Sequence, residues 1–170
     1  MPGVNSRSAR RYRIRFRGKC PSRTEATPYK EGLMRTHPTG PDTGTSDRAV
    51  IDKRPESVAH ARDFARAFLD RLRPAADPQD AASVTLVVSE LVTNAVRHAR
   101  GASCSLQLQA QPQGIAVVVV DADPRPPRER APDLTGGTGG FGWPMVQHLA
   151  TSVTVTTGPR GKTIRAVLPR

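Results

Sequence analysis

The sequence predicts a two-layer α/β sandwich with a mixed, mainly antiparallel sheet, and three observations carry that prediction. Apolar residues recur at helical spacing over two stretches between positions 57 and 99. Strand-like segments recur beyond position 102, and they come in pairs separated by short turns. The order along the chain reads β, α, α, β, β, loop, α, β, β, without an internal repeat. With 170 residues there is room for one ordinary domain and a tail.

The tail is residues 1–48, rich in Arg, Ser, Thr, Pro and Gly and expected to be disordered for the most part. It holds +7 of the chain's formal charge of +11, with Arg10, Arg11, Arg13, Arg15, Arg17 and Lys19 clustered. The alternation from Arg11 to Arg17 has two structured readings, a short strand or a nucleic-acid-binding arm. The second is disfavoured because only Tyr12, Phe16 and Tyr29 are there to stack on bases. Met34 is an alternative initiator, which would remove residues 1–33.

The folded domain is expected over 49–170. Ala49–Asp52 supplies a first strand, and Ser57 is the expected N-cap of a helix carrying Val58, Ala61, Phe64, Phe68 and Leu72 ahead of Pro74. The second helix has the clearest signals. Asp77 caps it, Pro78 suits its first turn, Asp80 favours its positive end, and Gly101 marks its stop. Ser103–Ala110 alternates and Ile115–Val120 is an apolar run, so the pair reads as a hairpin. Residues 121–139 form a long Pro-, Arg- and Gly-rich loop, the kind that is usually functional. A short helix over 143–150 and a closing hairpin, Val153–Thr157 with Thr163–Leu168, complete the sandwich.

Composition excludes several classes. Cys20 and Cys104 have no metal-type spacing and are read neither as a disulfide nor as ligands. No apolar run approaches the ~20 residues of a membrane span, and the basic N-terminus lacks an apolar stretch with a cleavage site. The cytoplasm is the expected location. His37, His60 and His148 lack carboxylate or cysteine partners at ligand spacing, and His98 follows Arg97 at the end of the second helix.

Three places carry chemistry. Glu90 and Asn94, an i,i+4 pair, share one face of the second helix at the margin of the arc formed by Val84, Val87, Val88, Leu91, Val92, Ala95 and Ala99. Asp121 ends the apolar strand, where a carboxylate either accepts a hydrogen bond from a ligand amino group or starts an Asx-turn. The glycines at 136, 137, 139, 140 and 142 run into a helix, where free N–H groups attract phosphate oxygens. The stretch is neither a P-loop nor a dinucleotide fingerprint.

These segments resemble the GHKL ATPase superfamily, over about Ala49 to Pro169. SELVTNAVRHA looks like its N-box, VVVDADPRPP like its first G-box and GGFGWPMVQHLA like its second, while GKTIRAVLP is similar to the closing hairpin of the short anti-sigma-factor serine kinases. The resemblance implies that Asn94 helps to hold Mg²⁺ on the phosphates of ATP and that Glu90 orients or deprotonates the attacking hydroxyl. It implies that Asp121 recognises adenine, that Gly140 and Gly142 let the glycine segment close over the phosphates, and that Thr163 hydrogen-bonds to the nucleotide. The implied partners are a small antagonist protein and a sigma factor, with a homodimer possible. The sequence departs from the pattern at Asp123 and Arg125, where the first G-box usually has glycines, and at Trp143 and Pro144. A catalytically silent ATP-dependent binding module is therefore the alternative to a kinase.

Overall fold

A computed structural model describes residues 10–15 by their backbone and residues 44–54, 56–127 and 142–170 in full. The elements are β1 (Arg10–Arg15), β2 (Ser46–Asp52), α1 (Ser57–Asp70), α2 (Pro78–His98), β3 (Ser103–Gln111), β4 (Gly114–Asp121), α3 (Gly142–Leu149), β5 (Ser152–Gly158) and β6 (Gly161–Leu168). The strands form one sheet in the order β1-β5-β6-β4-β3-β2. Every neighbouring pair is antiparallel. The chain leaves β4, crosses through α3 to β5, and turns back so that β6 fills the place between β5 and β4.

Alternation decides which face the helices cover. In β3, Cys104, Leu106, Leu108 and Ala110 are buried, while the residues between them are half-buried. Ile115, Val117 and Val119 of β4, Ile164, Ala166 and Leu168 of β6, and Val153 and Val155 of β5 continue the same apolar surface. Phe68 of α1 and Val84, Val87, Val88, Leu91 and Val92 of α2 close it from the other side, all at 1% exposure or less. Each such side chain contributes about 1.5–3 kcal/mol on leaving water, so the α2 stripe is a main source of cohesion. The opposite face of the sheet carries the exposed Val50 and Val120, although Ala116 and Val167, directly paired, are buried there as well.

Local signals explain most boundaries. The Asp77 carboxylate accepts from the backbone N–H of Gln79 at 2.8 Å, Pro78 occupies the first turn of α2, and Asp80 comes next but one. Gly101 has a φ of 88°, in the region that favours glycine, and lies just beyond the end of α2. At α1 the structure departs from the expected cap. Glu56 is the N-cap, already in right-handed helical geometry with no side-chain cap, and Ser57 is the first helical residue. A preceding turn, in which the Ser57 N–H donates to Arg54 O at 3.1 Å, meets one of the donors that the start of a helix leaves without an intrahelical partner.

The N-terminal region divides. β1 pairs with β5 from Arg10↔Thr157 to Arg15↔Ser152, the strand reading of that alternation, and β2 begins at Ser46, three residues before the expected strand. Residues 1–9 and 16–43 lie outside the described residues.

Candidate functional site

Glu90 and Asn94 reach the surface of the sandwich because α2 is amphipathic along its whole length. Its buried residues run Val84, Val87, Val88, Leu91, Val92 and Ala95, and the two polar residues border that stripe half-buried. Four residues of helix separate them by about 6 Å along the axis. The first residue of α3 stands against Glu90: a Cβ placed on Gly142 would lie 2.1 Å from Glu90 Oε2. Only a residue without a side chain lets α3 start there while the carboxylate keeps its position. Among the described residues neither the Glu90 nor the Asn94 side chain has a hydrogen-bond or ion-pair partner.

Asp121 lies at the same end of the sandwich. A Cβ on Gly101, just past the C-terminus of α2, would sit 3.4 Å from Cβ of Ala122, so the end of α2 and the end of β4 are neighbours. Lys53 reinforces this corner by donating to Ala99 O. Asp121 itself is buried, its side chain 2% exposed. Its Oδ1 accepts from the Asp123 N–H at 2.8 Å and from Lys162 Nζ at 2.9 Å, and its Oδ2 lies 2.9 Å from the same ammonium. The Asx contact and the ion pair therefore coexist on one carboxylate. Lys162 also donates to Asp123 O at 3.2 Å.

The turn after β4 is held by a second pair. Arg125 donates from its backbone N, from Nε and from Nη2 to the buried Asp123 carboxylate, at 2.7–3.1 Å. These hydrogen bonds, helped by the charges of Lys162 and Arg125, hold the Asp123 carboxyl well below the usual carboxylate range despite its burial. Cys104, on β3 beside this corner, is pushed up to about 11, first by burial and then by the negative charge of Asp121. Gly161, at φ 147°, opens β6 where a Cβ would meet Asp121 O at 2.0 Å.

The predicted residues divide into those the fold brings together and those it does not. Glu90 and Gly142 touch, Asn94 is one helical turn away, and Asp121 borders the same end of the α2–sheet interface. Gly140 lies outside the described residues, as do all of 128–141, which join the Asp123 turn to Gly142. Thr163 is separated from the group. It pairs with Val120 and Thr156, out of phase with the buried Ile164, Ala166 and Leu168, on the face of the sheet away from the helices. Lys162, opposite Asp121, takes the helix-side position instead. Sequence reasoning missed it, although the parity of Ile164, Ala166 and Leu168 pointed to it. His60, His98 and His148 are exposed, and the described residues contain no group of three or more His, Cys, Asp or Glu side chains placed to hold a metal ion. No helix among them is long and apolar enough to cross a membrane.

Comparison with known proteins gives this arrangement a family. The model of the histidine kinase-like ATPase domain matches residues 51–168, from the end of β2 to the end of β6. No curated protein matches the chain. Twelve chains of solved structures do. One is the crystal structure of the RsbU and RsbW domains of Rv1364c from Mycobacterium tuberculosis, 19% identical, with a TM-score of 0.56 and 74% of this chain covered. The match spans 32% of that chain, so the likeness is one of fold. With β3 to β6, the three helices and the polar corner all inside the matched range, the chain belongs to the family of histidine kinase-like ATPase domains.

Proposed function

We propose that this protein is an ATP-binding regulator that transfers the γ-phosphoryl group of ATP to a serine or threonine of a small antagonist protein, in the manner of the anti-sigma-factor kinases its motifs resemble. The observation that carries this reading is the junction of Glu90, Asn94 and Gly142 at one edge of α2. Two half-buried polar side chains without protein partners among the described residues, beside the start of a helix, suit the phosphate end of a nucleotide. Asn94 offers an amide oxygen, a hard donor of the kind Mg²⁺ takes. When bound, Mg²⁺ would neutralise charge on the phosphates.

Phosphoryl transfer asks a protein mainly for positioning and electrostatics. Glu90 Oε2 would accept the proton of the attacking hydroxyl as the new O–P bond forms and ADP departs with the electrons of the cleaved bond. Asn94 would fix the triphosphate one turn away, and Asp121 would face the base. The partners follow the resemblance: an antagonist protein as acceptor and a sigma factor as the sequestered protein, with the cytoplasm as the site of action.

Titration of the purified protein with ATP tests the site. Wild type binds with Mg²⁺; Asn94→Ala is expected to lose most of the Mg²⁺-dependent part of the affinity, and Asp121→Ala the part that distinguishes adenine. Equal binding by all three proteins rejects the assignment. Asp123 and Arg125, in place of glycines, favour a second reading, a nucleotide-dependent binding module without transfer. Radiolabelled ATP separates the two. A kinase labels serine or threonine on the antagonist and loses that activity in Glu90→Ala, whereas a silent module labels nothing and the substitution leaves partner binding unchanged.

A further inference from the structure

The ammonium of Lys162 holds the one carboxylate on which base recognition depends. Its Nζ donates to Asp121 Oδ1 at 2.9 Å and to Asp123 O at 3.2 Å, and it lies 2.9 Å from Asp121 Oδ2 as an ion pair. The pair is closed to solvent, with side-chain exposures of 10% for Lys162 and 2% for Asp121. The Asp123 N–H takes a further place on Oδ1. A ligand amino group needs an accessible acceptor, and here Oδ1 already accepts two hydrogen bonds while Oδ2 lies against the ammonium. An exocyclic amine is also a neutral donor, and a neutral donor is roughly half as strong a partner for a carboxylate as an ammonium.

The geometry points to Lys162 as the residue that sets base selectivity, by standing at Asp121 in the place a purine 6-amino group would take. The inference rests on the proposal that Asp121 faces the base. It changes what that proposal predicts, because in wild type the 6-amino group meets a carboxylate already engaged. Gly161 supports the arrangement. With its φ of 147° and its close approach to Asp121 O, it fixes the register that sets Lys162 opposite Asp121.

The test compares ATP with inosine triphosphate, which carries a 6-oxo group in place of the 6-amino group. Both have the same phosphates, so the ratio of their affinities cancels any pull of Lys162 on the triphosphate. Wild type is expected to bind the two within about threefold of each other. Lys162→Met, which keeps length and removes the donor, is expected to raise the preference for ATP about tenfold. Lys162→Gln, which keeps a neutral donor, should fall between them. Removing one partner of a buried pair destabilises a protein, so circular dichroism first establishes that each variant is folded. If Lys162→Met does not fold, Lys162→Gln and the wild-type ratio decide. A wild-type preference for ATP of a hundredfold or more, or a ratio unchanged in the folded variants, overturns the role of Lys162 while leaving nucleotide binding intact. Failure of wild type and variants alike to bind either nucleotide overturns the site assignment, and the role of Lys162 with it.

Discussion

Gly142 shows how much a single missing side chain decides. An added Cβ would lie 2.1 Å from Glu90 Oε2 and 3.0 Å from its Cδ, so Gly142→Ala must displace the carboxylate. The displaced atoms are the far end of a flexible side chain, and the fold can absorb the change. We expect Gly142→Ala to lower Tm by no more than a few degrees, about 1 kcal/mol, and to reduce phosphoryl transfer at least tenfold. Because both changes act on one carboxylate, Gly142→Ala combined with Glu90→Ala should be no worse than Glu90→Ala alone. Additive losses in transfer rate would show that Gly142 acts elsewhere. Glycine before a helix was visible in the sequence, but its neighbour was not, since Glu90 and Gly142 are far apart along the chain.

Among the elements, α2 carries both cohesion and chemistry. Its position along the sheet fixes where Glu90 and Asn94 emerge, and its N-terminal cap is one visible anchor. Asp77→Ala removes the hydrogen bond to the Gln79 N–H. It is expected to cost about 1 kcal/mol, read as a shift in the denaturant midpoint at unchanged m-value. Nucleotide affinity should stay within twofold, because the cap lies more than three turns from Glu90. The strands give the opposite lesson. In β6 a shift of one residue exchanges faces, so the placement of Thr163 and Lys162 depends entirely on register. Ile164, Ala166 and Leu168 announced that register in the sequence, while the motif resemblance drew attention to the neighbouring threonine.

For the whole molecule, pH acts through groups buried at the corner where α2, β3, β4 and β6 meet. The Asp123 carboxyl is lowered in the folded state, so its contribution is present above the unfolded value of about 3.9 and is lost as pH falls below it. Cys104 is raised to about 11. The unfolded thiol ionises near 8.5, so stability is undiminished below that value and falls as pH climbs toward 11. Denaturant midpoints across pH should therefore decline at both ends. Asp123→Asn should flatten the acid side and Cys104→Ala the alkaline side; an unchanged alkaline slope in Cys104→Ala would mean that another group titrates there. By itself the sequence determined the layers, the element order and the polar positions of α2, because helical and strand periodicities are local and burial enforces them. It also placed Asp121 at a strand end. Tertiary structure alone decided what those positions touch: Glu90 against Gly142, Asp121 engaged by Lys162 and β1 beside β5. Each of these joins segments distant in the chain, and such contacts arise from strand pairing and helix docking, which no local pattern encodes.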